Sequence, residues 1–130
     1  VLWHQGIDLL IPFIVYEFMP FEVRILQPAV DFVDGLPLKL RVKVYRTISL
    51  LKQFSPFLRE PHAKKISGWR GLMKLRVSLG TDTCRLFYFW HKLSFYVVTS
   101  GYPKKDMKLE CRELERASLL MNRYLEESGE

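Results

Sequence analysis

The chain has 130 residues, enough for one domain with a core that needs neither disulfides nor metal, and its 48% hydrophobic content excludes a disordered chain. Its net charge of +6 is unevenly spread: residues 1–37 carry one base against five acids (net −4), residues 38–76 eleven bases against one acid (net +10), and residues 77–130 eight of each. A middle third this basic repels itself unless a phosphate backbone or an acidic partner neutralises it. Cys84 and Cys111 have no metal-ligand spacing and read as reduced thiols of a cytoplasmic protein, while His4, His62 and His91 are scattered. No metal and no small-molecule cofactor is expected.

Residues 7–21 are strongly apolar but interrupted by Asp8, Pro12 and Glu17. The run is shorter than the roughly 20 residues a membrane span needs, and no basic region or cleavage site flanks it, so neither a span nor a signal peptide is expected. Met19 stands just before the alternating run Pro20-Phe21-Glu22-Val23-Arg24-Ile25-Leu26. The expectation is a native domain over 19–127, with residues 1–18 as an extension outside it.

Phe21–Leu26 alternates like a strand, and Pro28–Phe32 reads as a short helical turn with proline near its start. Asp34-Gly35 ends that turn and Pro37 opens a longer helix. In it Leu36, Leu40, Val44, Ile48, Leu51 and Phe54 form one apolar face, Lys39, Lys43 and Arg46 form a basic stripe on another, and Ser55-Pro56 stops it. Residues 59–65 read as a polar connector. Three strands follow, near 72–79, 83–91 and 94–101, the first two joined by Gly80-Thr81, which suits a tight turn with a positive φ at its first residue. Asp106 is the expected N-cap of a last helix, Met107 to Glu127, with Leu114, Ala117, Met121 and Tyr124 as its buried stripe. This order predicts an α+β domain: a small antiparallel-rich sheet packed against an N-terminal helical hairpin, with a C-terminal helix.

From Lys64 to Lys105, cations recur beside strand cores: Lys64-Lys65-Ile66, Leu72-Met73-Lys74-Leu75-Arg76, Cys84-Arg85-Leu86-Phe87-Tyr88-Phe89-Trp90 and Gly101-Tyr102-Pro103-Lys104-Lys105. Lys and Arg are almost never fully buried unless paired, so this pattern points to a polyanion lying across the sheet, and RNA is the expected one.

The motifs also carry a resemblance. Leu36-Pro37-Leu38-Lys39-Leu40-Arg41, Lys64-Lys65-Ile66, Leu72-Met73-Lys74-Leu75-Arg76, Arg85-Leu86-Phe87-Tyr88-Phe89, Gly101-Tyr102-Pro103-Lys104-Lys105 and Glu113-Leu114-Glu115-Arg116-Ala117 stand in an order and spacing that resembles the RelE/ParE toxin superfamily, most closely its phage-derived, HigB-like branch. The chain departs from that branch at Ser100, where a His is common, at Lys74, where an acid is usual, and at Leu109-Glu110, where Thr-Pro commonly opens the last helix. The resemblance implies a RelE-like fold and the toxin of a type II toxin–antitoxin pair. That toxin would be a metal-independent endoribonuclease cleaving mRNA on the ribosome, neutralised by an antitoxin with a helix-turn-helix domain.

Metal-free RNA cleavage needs the 2′-hydroxyl proton removed, charge on the phosphoryl oxygens stabilised and the leaving 5′-oxygen protonated. Arg76 and Arg85 are the leading candidates for holding the phosphate, since guanidinium offers a planar fork of donors. The alternative is pairing with an acid such as Asp82. A hairpin turning at Gly80-Thr81 sets Arg76 opposite Arg85. Lys74, on the face of Arg76, is a candidate base or second phosphate clamp. Lys64, Lys65, Lys104 and Lys105 are expected to track the RNA backbone. Tyr102 either stacks on a base or caps the core, whereas Phe87, Phe89 and Trp90 are expected to pack in the core, and neither His62 nor His91 is expected to act as an acid. Two other functions stay open: a non-catalytic member of the same fold that poisons gyrase, and a small nucleic-acid-binding regulatory module.

Overall fold

The computed structural model describes residues 22–54, 63–91, 95–103 and 107–129. Residues 1–18, the expected start at Met19, the helix stop at Ser55-Pro56, His62, Lys104, Lys105 and the Asp106 cap lie outside these.

Strand β1 (Glu22–Ile25) points Val23 and Ile25 inward and Glu22 and Arg24 to solvent. It runs directly into helix α1 (Gln27–Asp34), where extended Leu26 is the N-cap residue and Pro28 sits in the first turn, where its missing amide costs nothing. α1 is a full eight residues rather than the short turn expected from the sequence, because Ala29 and Val33 give it an apolar stripe to bury. Helix α2 (Leu38–Phe54) buries the predicted Leu40, Val44, Ile48 and Leu51, each contributing roughly 1.5–3 kcal/mol by leaving water.

Strand β2 (Ala63–Lys65) corrects the connector reading. Three residues suffice because only Ala63 is buried, while the two lysines lie at the sheet edge in solvent. β3 (Met73–Leu79), β4 (Asp82–His91) and β5 (Phe95–Pro103) follow, and helix α3 (Met107–Glu127) closes the described chain.

The strands form one five-stranded sheet ordered β1-β5-β4-β3-β2, antiparallel except for the parallel pair β1–β5. One face packs on α1 and α2 through Leu75, Val77, Cys84, Leu86, Tyr88, Tyr96 and Val98. Gly101 opens on this side, where a Cβ would collide with the Phe32 ring and a Leu86 methyl. The opposite face meets α3, with Phe87 and Tyr102 under Leu114 and Ala117, and Phe89, Phe95 and Val97 near Met121 and Tyr124. A register shift at Phe87/Tyr88 leaves Thr99 unpaired in the ladder, its hydroxyl bonding the Phe87 carbonyl at 3.3 Å. The shift lets β5 present Phe95 and Val97 before it and Tyr102 after it to the same helix.

Candidate nucleic-acid interface

Leu75 and Val77 are buried toward α2, so Lys74 and Arg76 between them point to the opposite face of the sheet. Gly80, at φ +63°, makes the tight turn and fixes the register, which sets Arg76 opposite Arg85 and Lys74 opposite Phe87. On the other flank β2 sets Lys64 opposite Lys74. Four cations thus share one side of three adjacent strands. Among the described residues neither Arg76 nor Arg85 makes a hydrogen bond or ion pair, with Asp82 or any other acid, and the Arg85 Nε is buried without a partner. Like charges opposed on a sheet are destabilising by about 0.2–1 kcal/mol.

A fifth charged group enters from α3. In its first turn, Glu110 accepts a hydrogen bond from the Tyr102 hydroxyl at 2.9 Å on Oε1 and one from Lys74 Nζ at 3.3 Å on Oε2. Partial burial works to raise the Glu110 pKa, but the Tyr102 hydroxyl, the Lys74 ammonium and the nearby Arg85 outweigh it and hold the carboxyl below its usual range. Burial, with the Glu110 carboxylate beside it, pushes the Tyr102 phenol well above its ordinary value, so Tyr102 is a fixed donor.

The structure therefore gathers Arg76, Arg85, Lys74 and Lys64 on one face. Lys65 is exposed on β2 but alternates to the other side, opposite Met73. Tyr102 does not offer a ring to an RNA base: it is 2% exposed, stacked on Phe87 at 5.2 Å, and caps the core. Lys74 Nζ donates to the Glu110 carboxylate. Phe87 and Phe89 are core residues as expected, whereas Trp90 is 43% exposed at the far end of β4. His91 is buried and stacked on Phe95. Ser100 is buried, its hydroxyl 3.3 Å from that of Thr99.

Glu110 was not among the residues the sequence singled out for the site. It lies 36 residues from Lys74 and joins it only through the packing of α3 on the sheet. The Leu109-Glu110 departure at the helix start marked the position without showing its role.

The outer side of α2 carries a separate basic surface. Lys39, Lys43 and Arg46 rim a groove of about 650 Å³ floored by Leu38, Val42 and Leu79, and Lys43 Nζ donates to the Ser78 carbonyl. Arg41, off this stripe, donates to the Leu36 carbonyl at 3.0 Å. Among the described residues no cluster of His, Cys, Asp and Glu could hold a metal ion, and no helix is long and apolar enough to cross a membrane.

This sheet, with a helical pair on one face and a C-terminal helix on the other, is the fold of the RelE toxins. The chain is similar to Escherichia coli toxin RelE in the free state, in a form with two arginines replaced by alanine, at 18% identity and a TM-score of 0.58, over 78% of this chain and 96% of that one. It is also similar to the archaeal RelE–RelB complex from Pyrococcus horikoshii OT3, at 23% identity and a TM-score of 0.51, over 65% of this chain and 96% of that one. No curated protein sequence matches it significantly. The family model described as phage derived protein Gp49-like matches residues 31–122, and the chain belongs to that family.

Proposed function

We propose that this protein is the toxin of a type II toxin–antitoxin pair and that it cuts messenger RNA on the ribosome, in the cytoplasm, without a metal. The observation that carries the reading is the opposed Arg76–Arg85 pair, in which neither guanidinium bonds to a carboxylate among the described residues and which faces away from the α1–α2 core. A phosphate between the two guanidiniums would relieve their repulsion, and each can donate two parallel hydrogen bonds to its oxygens. In the reaction the ribose 2′-oxygen attacks the neighbouring phosphorus, a 2′,3′-cyclic phosphate forms and the 5′-oxygen leaves. Arg76 and Arg85 stabilise the charge that grows on the phosphoryl oxygens, Lys74 is the third cation, and Lys64 holds the flanking backbone. Membership of the phage-derived family and the likeness to RelE structures support the same reading.

The partner in this reading is an antitoxin with a helix-turn-helix domain and a separate acidic, amphipathic segment. Its acids would meet Lys39, Lys43 and Arg46, and its apolar side the floor formed by Leu38, Val42 and Leu79. Binding there would weaken with added salt.

Controlled expression with mapping of RNA 5′ ends tests the function. The expected result is growth arrest with new 5′ ends inside translated messages, both lost in Arg85→Ala. Growth arrest with intact messages and blocked supercoiling would replace the nuclease with a gyrase poison.

A further inference from the structure

Among the described residues Glu110 is the carboxylate that bonds to the cationic face, and its geometry is that of a group held in place rather than a loose surface acid. Its side chain is 32% exposed, so solvent and a ligand on the sheet can reach it. Each oxygen is already oriented, Oε1 by the Tyr102 hydroxyl and Oε2 by Lys74 Nζ, and Tyr102 is itself locked by stacking on Phe87. A carboxylate oxygen has two acceptor sites, so each keeps one for a further donor. Lys64, Lys74, Arg76 and Arg85 stand on the same face as this carboxylate.

We propose that Glu110 is the general base of the cleavage step and that Lys74, its ion-pair partner, protonates the leaving group. The inference rests on the RNA-cleaving reading above. The 2′-hydroxyl gives its proton to Glu110 as the 2′-oxygen bonds to phosphorus. The bond from phosphorus to the 5′-oxygen breaks, and that oxygen takes a proton from the Lys74 ammonium. Glu110 then returns its proton to Lys74 across their 3.3 Å hydrogen bond, which restores the pair with no net change in protons. In an in-line displacement the attacking and leaving oxygens lie at opposite apices of phosphorus, and Glu110 and Lys74, side by side, would reach one each from the same side of that axis. Against the opposing effect of burial, the Tyr102 hydroxyl, Lys74 and Arg85 hold the carboxyl below its usual range, so the base is ionised at neutral pH.

The test compares the full-length wild type with Glu110→Gln and Glu110→His on ribosomes programmed with a defined message, under single-turnover conditions from pH 3.5 to 8. Glutamine keeps the shape and hydrogen-bonding reach of Glu110 but cannot take a proton. The expected result is a cleavage rate roughly 100-fold lower or more in Glu110→Gln, with ribosome binding unchanged and the protein still folded at the assay temperature. Histidine restores a base, so Glu110→His should recover part of the rate, with its acid limb moved up from below the carboxylate range to about pH 6–7. The groups that bear on this titration are Lys74 from β3, Arg85 from β4, Tyr102 from β5 and, through Tyr102, Glu113 on α3 itself. Wild-type cleavage matched or exceeded by Glu110→Gln would overturn the inference alone, and a gain would show that the carboxylate occupies the phosphate's place. A wild type that cuts no message would overturn the nuclease reading and this inference together.

Discussion

The same two strands lie in two different media. On β3 and β4, Leu75, Val77, Cys84 and Leu86 are at most 1% exposed beneath α2, while Lys74, Arg76 and Arg85, one residue away from them, face the other side. The α1–α2 face is sealed along its length. The α3 face is sealed over β5 and neighbouring β4, where Phe87, Phe89, Phe95, Val97 and Tyr102 lie, while the cations stand at the helix's edge, where its first turn reaches Lys74 through Glu110. One face was built for burial and can be judged by stability. The other carries a charge arrangement that stability alone does not reward, and it must be judged by what it binds.

The sharpest contrast comes from changing residues on the two faces of the β3–β4 hairpin. Leu86→Ala should lose about 2–5 kcal/mol of stability, since the methyls removed are wholly buried between sheet and helices, and should lower the melting temperature by roughly 8 °C or more. Circular dichroism melts would show it. Arg76→Ala and Arg85→Ala should cut RNA cleavage by about 10²–10³ and abolish growth arrest. Their melting temperatures should be unchanged or slightly raised, because relief of the opposed charges is worth about 0.2–1 kcal/mol. A marked fall in stability for both would make the two faces alike and remove the case for a phosphate site.

Smaller effects sharpen the picture within the charged face. Lys64→Ala should weaken RNA binding only several-fold, equally across sequences, and lower the slope of log affinity against log salt by about one, measured by titration at several salt concentrations. The smallest effect is one of pH. Because the folded Glu110 has a pKa below the ordinary 4.5, folding favours its ionised form. Its contribution to stability is therefore complete above about pH 4.5 and fades as pH falls through the lower folded value. Melts of the wild type and Glu110→Gln should converge as pH drops below that range and separate above it.

What the sequence could show depended on how local the determining contact was. The Arg76–Arg85 register was legible because a single glycine turn sets it, and residue numbers on a hairpin then give the partners. The buried faces of α2 and α3 were legible from helical spacing, as Leu40, Val44, Leu114 and Ala117 show. β2 was hidden because an edge strand of three residues with two lysines has no alternation to read. Tyr102 was ambiguous since an aromatic ring serves equally well over a base or over Phe87, and only the position of α3 decides. Glu110 was out of reach for the same reason: both of its hydrogen bonds cross between a helix and the sheet.

The strand order has a consequence for how the chain comes off the ribosome that makes it. β5 lies between β1 and β4, so Glu22 must wait for Phe95, 73 residues later, before its strand has a neighbour. The β3–β4 hairpin, closed by two turn residues, can form as soon as it emerges, yet it shows a bare edge until β5 arrives. Such distant pairings slow folding and leave unpaired edges open to other chains in the meantime. Synthesis thus delivers the arginines early and Glu110 late, and the carboxylate meets Lys74 only when translation of the domain is nearly complete.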